Sequence, residues 1–97
     1  MLVTTGATAV ILATRNRLRK SLLIQNTSTT DTAYVKRERN ETLAVSSTDF
    51  DFKIGPGGAI GLNSILDGIE AIQDRYSAIA AAGAPVLSFF ETEDAQR

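Results

Sequence analysis

The sequence predicts an all-β protein, a small antiparallel β-sandwich or barrel of about seven strands. Short apolar runs recur every eight to twelve residues, and Asn, Ser, Thr, Asp, Gly and Pro separate them. Segment 49–54 alternates strictly, which places Phe50, Phe52 and Ile54 on one face of a strand and charged residues on the other. The chain has 97 residues, of which 43% are apolar, and this length suits one domain spanning residues 1–97.

Each apolar run is interpreted as one strand. The first six runs are residues 9–13, 22–24, 33–36, 43–45, 49–54 and 59–62. The run at 43–45 is the weakest of them. Gly55-Pro56-Gly57-Gly58 follows the alternating segment and predicts a turn, because proline presets φ and glycine accepts positive φ.

Residues 64–82 fit two patterns. Five apolar residues recur at four-three spacing, which is typical of a helix: Ile65, Ile69, Ile72, Tyr76 and Ile79. Gly68 interrupts that helix, and segments 75–81 and 86–91 also fit two strands joined by a short glycine turn. Both interpretations stay open on this pattern alone.

The inward positions of these runs define the expected core: Leu22, Ile24, Val35, Phe50, Phe52, Ile54, Leu62 and Phe89. Residues 1–8 are expected to form an N-terminal arm, and residues 92–97 a flexible acidic tail.

The composition excludes several kinds of site. The chain has no Cys and no His, so it offers no thiolate, zinc cluster or imidazole base. Asp67, Glu70 and Asp74 lack the alternating ligands, glycine and terminal glutamate of a calcium loop. The glycines at 55–61 fit no phosphate-binding spacing. We therefore expect no catalytic residue, no cofactor, no metal and no enzymatic activity.

Charge is divided along the chain. Residues 1–48 carry seven basic and three acidic side chains, and residues 49–97 carry three basic and eight acidic ones, so the halves are +4 and −5. We expect an interaction surface in which the basic segment of one copy meets an acidic segment of a neighbour. Its residues would be Arg15, Arg17, Arg19, Lys20, Asp67, Glu70 and Asp74. The alternative is a monomer whose charges pair internally.

Other partners are not indicated. A nucleic-acid domain usually has a clear basic excess with aromatic residues among its cations, whereas this net charge is −1 and only Tyr34 lies near the basic groups. No run approaches eighteen apolar residues, so no membrane span is expected.

Several segments together resemble small phage virion β-sandwich proteins of the capsid decoration, cement or head-fibre type. Residues 19–26 (RKSLLIQN) resemble their opening strand, and residues 32–35 (TAYV) the paired strand that follows. Residues 52–60 (FKIGPGGAI) resemble a Pro-Gly hairpin, and residues 76–80 (YSAIA) with 86–91 (VLSFFE) a closing hairpin.

This resemblance implies a strand at 75–81, with at most a short helical turn near 64–73. It also implies a non-enzymatic structural protein, assembled into the virion in the host cytoplasm, that decorates or stabilises the capsid or head surface. Its partners would be further copies of itself, as a trimer, and the major capsid protein or another virion protein. The alternative function is a recognition module, such as a tail or fibre component that binds a carbohydrate or receptor.

Overall fold

The structure, a computed structural model, describes residues 2–38, 43–63 and 73–93. Every regular element in these ranges is a strand. The strands are β1 (Leu2–Thr4), β2 (Val10–Ala13), β3 (Arg19–Asn26), β4 (Ala33–Glu38), β5 (Phe52–Ile54), β6 (Ala59–Asn63), β7 (Arg75–Ala80) and β8 (Val86–Glu93). The proposed helical turn at 64–73 lies almost wholly outside the described residues. No helix in the described ranges is long and apolar enough to cross a bilayer.

The strands form two four-stranded antiparallel sheets packed face to face. Sheet A has the order β1-β8-β3-β6, and sheet B has the order β2-β7-β4-β5. The two sheets remain separate among the described strands, so the structure is a sandwich and no barrel is closed. The all-β prediction is confirmed, and so is strand rather than helix for the segment that contains Tyr76 and Ile79.

The prediction of hairpins at 52–60 and at 76–91 is wrong. Of the paired strands only β4 and β5 are consecutive in the chain. The Pro-Gly turn after β5 leads from sheet B to sheet A, and the glycine turn before β8 makes the same crossing. Gly57 and Gly83 adopt positive φ in these two turns (73° and 71°), where other residues are strained. Turn residues thus mark where the chain reverses, but they do not indicate which strand it pairs with.

Three segments differ from the sequence prediction. Residues 43–45 form no strand, and the amides of Ala44 and Val45 donate to the Glu38 carboxylate at the end of β4. Leu2–Thr4, expected in the N-terminal arm, form β1 and pair with β8. Thr92 and Glu93, expected in the tail, extend β8 beside the beginning of β3. In both terminal cases the partner strand, which is remote in sequence, orders the segment.

The core lies between the sheets. Five of the expected residues are buried there: Leu22, Ile24, Val35, Ile54 and Phe89. Phe52 and Leu62 are partly buried and pack against this cluster. The sequence prediction did not include several other core residues: Leu12, Ala13, Ala33, Tyr76, Ala78 and Leu87.

The prediction for Phe50 is wrong, because this side chain is 37% exposed. The alternating pattern extends back to Asp49, but β5 begins only at Phe52. Ser46 and Asp49 form an isolated antiparallel bridge that closes a tight turn before it. Phe50 therefore lies outside the sandwich, where its ring contacts Tyr34 with the centroids 4.7 Å apart.

Two adjacent leucines of β3 lie on opposite faces of sheet A, so their variants can test which face is the inner one. Leu22 is buried at 3% exposure, whereas Leu23 is 44% exposed on the opposite face. Leu22→Ala should lower the free energy of unfolding by about 2–5 kcal/mol because it leaves a core cavity. Leu23→Ala should change it by about 0.5 kcal/mol or less. Urea unfolding of both variants measures the difference, and equal losses would contradict the assignment of inner and outer faces.

Tyr76 should make stability depend on alkaline pH. Its side chain is buried, and burial raises the pKa of Tyr76 to about 12. The folded chain therefore holds this proton more tightly than the unfolded chain, whose tyrosine pKa is about 10. The resulting stabilisation is complete below pH 10 and is lost as the pH rises to about 12, an effect of about 2–3 kcal/mol.

Urea unfolding at several alkaline pH values measures this dependence. Tyr76→Phe should show a shallower fall in stability than the wild type, because phenylalanine has no proton to lose. Tyr34→Phe leaves Tyr76 in place and should retain the steep fall. Parallel curves for Tyr76→Phe and the wild type would contradict the prediction.

Candidate interaction surface

Arg19 does not belong to an exposed interaction surface. It is only 3% exposed, and its guanidinium lies at one end of the sandwich. Its Nε donates to Glu91 Oε1 at 2.7 Å, while Nη1 and Nη2 donate to the carbonyl oxygens of Asp74 (2.9 Å) and Thr14 (2.7 Å). Its Cζ lies 5.5 Å from the ring centroid of Phe89. Arg19 therefore joins β3 to β8 and to the segment before β7.

The other six predicted charged residues fall into three groups: two with ion-pair partners, two that are exposed and two outside the described residues. The Asp74 carboxylate binds Arg37 Nε at 2.5 Å, and Arg15 Nη2 lies 3.7 Å from its other oxygen. Arg17 and Lys20 are exposed. Asp67 and Glu70 lie outside the described residues.

These contacts correct the expectation that these charged residues pair with charged residues of a neighbouring copy. The pairs expected between neighbouring copies are made within one chain by Arg15, Arg19 and Asp74. A charge that is already paired internally gains little from a second partner, and exposed pairs contribute only about 0–1 kcal/mol. Arg15, Arg19 and Asp74 thus have partners within the chain, and the expectation for the other four residues of the predicted surface stays a prediction.

The outer face of sheet B is charged and partly covered. The carboxylate of Glu38 is buried there and accepts hydrogen bonds from the amides of Ala44 and Val45 and from the Ser77 hydroxyl. Lys36 Nζ donates to Asp49 at 2.9 Å, and this bond raises the pKa of Lys36. Segment 43–51 therefore lies against this face and limits what else can bind there.

The outer face of sheet A has a different character. Lys20 is exposed at the register shift between Arg19 and Ser21, at the start of β3. Apart from this irregular position, alternation and burial place twelve residues of the four strands on that face, and none of the twelve is charged. They are Leu2, Thr4, Ser21, Leu23, Gln25, Ala59, Gly61, Asn63, Val86, Ser88, Phe90 and Thr92. We call this set the uncharged face. It is unusual in a chain that is 22% charged.

The apolar centre of the uncharged face is a row across three strands. Phe90 of β8 pairs with Leu23 of β3, which in turn pairs with Gly61 of β6. Phe90 is 61% exposed and Leu23 is 44% exposed. Beside this row, the hydroxyls of Ser21 and Thr92 form a 2.5 Å hydrogen bond. Exposed apolar groups with a satisfied polar rim are typical of surfaces that bind another protein.

The sequence contained a signal for this face that the prediction did not use. Within 21–25 and 88–92, the residues that alternate with the core positions are uncharged. A solvated strand face usually carries charged or strongly polar residues at those positions. The two segments pair directly as β3 and β8, but only the tertiary structure shows that their uncharged positions are adjacent.

Groups that could hold a metal ion do not converge in the described part of the chain. No cluster of three or more acidic side chains there is arranged to hold a metal ion. Comparisons with protein-family models, curated proteins and solved structures yield no match to this chain. The resemblance to phage virion β-sandwich proteins therefore depends on the sequence segments alone.

Proposed function

We propose that this chain is a non-enzymatic structural protein of a phage virion that decorates or stabilises the capsid or head surface by protein–protein contact. The virion as its location comes from the sequence resemblance of segments 19–26, 32–35, 52–60, 76–80 and 86–91. Protein contact as its mode of action is supported by the structure's surface.

The observation that carries this proposal is the uncharged face of sheet A. Exposed Phe90 and Leu23 are adjacent there, and burying such apolar area contributes about 25 cal/mol for each Å² removed from water. Small sandwiches also have exposed sheet edges and limited cores, and association reduces both disadvantages. These features favour self-association together with attachment to the major capsid protein or another virion protein.

A recognition module remains the second candidate function, because Phe90 is an exposed aromatic ring on the outer face of sheet A. Sugar-binding surfaces stack aromatic rings against sugar faces, but the ring's cross-strand neighbour is the aliphatic Leu23. This neighbour favours a protein partner over a carbohydrate one. Binding to a glycan panel with Phe90→Ser as the control would support the second candidate if it were lost in the variant.

Electron microscopy of virions carrying a labelled copy tests the proposed location. We expect label at regular positions on the head. Label at the tail would favour the alternative function of a tail or fibre component. Purified virions without label would contradict both proposed functions.

Sedimentation of the purified chain at micromolar concentration in moderate salt tests self-association. The resemblance implies a trimer, which would sediment near three times the chain mass of 10.4 kDa. A single species near 10.4 kDa would contradict self-association.

A further inference from the structure

The apolar row of the uncharged face has a protrusion on one side of Leu23 and a dip on the other. Leu23 of β3 pairs with Phe90 of β8 on one side and with Gly61 of β6 on the other. Neighbouring strands are about 4.8 Å apart, so Phe90 and Gly61 lie about equally far from Leu23 in opposite directions. Phe90 has the largest side chain of the row, and Gly61 has none.

Both the protrusion and the dip are open to solvent. Phe90 and Leu23 are 61% and 44% exposed, and Gly61 is exposed as well. Among the described residues, a Cβ added at Gly61 would meet only Leu23 Cδ1, at 3.8 Å, and the Leu22 carbonyl oxygen, at 4.0 Å. Leu23 thus forms one wall of the dip, and space remains above the Gly61 backbone.

We infer that the uncharged face binds the same face of a second copy, about a twofold axis that runs along β3 at Leu23. This axis exchanges the two sides of the row, so Phe90 of each copy lies over Gly61 of the other. The two Leu23 side chains meet at the axis. Sheets packed face to face lie about 10 Å apart, within about 30° of parallel, with interdigitating side chains. Each Phe90 ring therefore fills the dip of the other copy.

The chemistry of the uncharged face also suits a second copy. Two identical charged surfaces repel each other, but the twelve residues of this face carry no charge. Its polar groups include Ser21, Gln25 and Ser88, whose hydroxyls and amide both donate and accept hydrogen bonds. Such groups can bond to the same groups of an identical face. The exposed Lys20, at the irregular start of β3, can keep its ammonium in water at the rim.

The size of the face predicts a weak and reversible dimer. At the usual strand spacing and rise per residue, the four strands of sheet A cover roughly 400 Å² in projection. The accessible area of a side-chain surface exceeds its projection, so two copies bury about 1,000 Å² in total, at the low end of specific interfaces. We therefore expect a dissociation constant in the micromolar range.

This inference rests on the self-association in the proposed function and specifies the surface that makes it. A twofold contact between identical faces joins copies in pairs, because each chain has one such face. It therefore favours a dimer over the trimer that the resemblance implies. Location on the virion is independent of this contact, so microscopy and sedimentation can fail separately.

The first test uses opposite charges at the axis. Leu23→Lys and Leu23→Glu are each sedimented alone and then mixed in equal amounts, at concentrations from one to about one hundred micromolar. Leu18→Lys is the matched control, because Leu18 is 43% exposed and precedes β3, outside the uncharged face. Circular dichroism and urea unfolding check that each variant folds.

We expect the wild type and Leu18→Lys to dimerise with similar dissociation constants. Leu23→Lys and Leu23→Glu should each raise the dissociation constant about tenfold or more, because identical charges meet across the axis. Mixing the two variants should restore a one-to-one dimer, since each Lys then faces a Glu.

The second test changes the protrusion and the dip. Phe90→Ala removes the ring, and Gly61→Val fills the space that the ring would enter. Both should raise the dissociation constant about tenfold, because each dimer has two such contacts. Gly61→Val should nevertheless keep or increase the stability of the single chain, since valine is favoured over glycine in strands.

Four results would overturn the inference. A wild type that stays monomeric also contradicts the proposed self-association, whereas a trimer keeps self-association and excludes the twofold contact. Dimers that persist in both Leu23 variants place the contact elsewhere. Separate variants that dissociate but form no dimer when mixed show that the two Leu23 side chains do not meet. If a charged variant fails to fold, Phe90→Ala decides, and an unchanged dissociation constant contradicts the inference.

Discussion

Asn26→Asp is expected to lower the free energy of unfolding by about 3–5 kcal/mol. The change leaves a buried side chain and the carbonyl oxygens around it without hydrogen-bond partners. Asn26 is completely buried at the end of β3. Its Nδ2 donates to the carbonyl oxygens of Asp31 (2.7 Å), Ile54 (3.0 Å) and Gly55 (3.2 Å). Its Oδ1 accepts from the Ser28 amide at 3.0 Å. One side chain thus holds the turn after β3 against the end of β5.

Aspartate has nearly the same shape but no amide donors. An ionised carboxylate would face three carbonyl oxygens, and a protonated one has a single proton to donate among them. Either form leaves buried acceptors without partners, at a cost of about 1–3 kcal/mol for each unsatisfied group. The loss therefore comes from the changed hydrogen bonds and not from a change in volume.

Gln25→Glu is the matched control for this variant. It makes the same amide-to-acid change at the neighbouring residue, which is exposed on the uncharged face. Its free energy of unfolding should stay within about 0.5 kcal/mol of the wild type. Urea unfolding at neutral pH measures both variants. Similar values for Asn26→Asp and Gln25→Glu would show that the Asn26 amide does not hold the turn.

Arg19→Ala is the second large expected effect, a loss of about 2–5 kcal/mol, because it removes a buried guanidinium that pairs with the partly exposed Glu91 and satisfies two carbonyl oxygens. The Glu91 carboxylate would lose its 2.7 Å bond. The Thr14 and Asp74 carbonyls would lose their guanidinium donors in the same change. Arg19→Lys keeps the charge but not the planar fork, so we expect it to recover only part of the lost stability.

Arg17→Ala provides the comparison at an exposed arginine two residues earlier. It should alter stability by about 0.5 kcal/mol or less. Both variants should be measured by urea unfolding in low and moderate salt. If Arg19→Ala costs no more than Arg17→Ala, the guanidinium network does not join β3, β8 and the segment before β7.

The positions of most strands could be predicted from the sequence, because alternation of apolar residues is a local property. The residues of β3, β4, β6 and β8 overlap the apolar runs predicted for them, and the inward assignment of Leu22 and Ile24 agrees with their burial. At β7 the local pattern left helix and strand open, and the strand was expected only from the resemblance. The same local logic failed at Phe50, where an apolar pattern continues into a turn. A residue's alternation position indicates a face only while the backbone remains a strand.

The candidate surface could be predicted much less well, since it depends on which strands become neighbours. Local charge clustering indicated an exposed basic surface that included Arg19, but the partners of that side chain are as much as 72 residues away in sequence. Glu38 and Asn26 also have partners that are distant in sequence: the Ser77 hydroxyl donates to Glu38, and Asn26 donates to the carbonyl oxygens of Ile54 and Gly55.

The sequence by itself determined that this chain forms short strands with one apolar side and no Cys or His chemistry, because those properties belong to residues and their immediate neighbours. The tertiary structure alone decided the strand order β1-β8-β3-β6, and with it the uncharged face. Strand pairing is a contact between segments far apart in the chain. No local pattern states which uncharged residues will lie side by side.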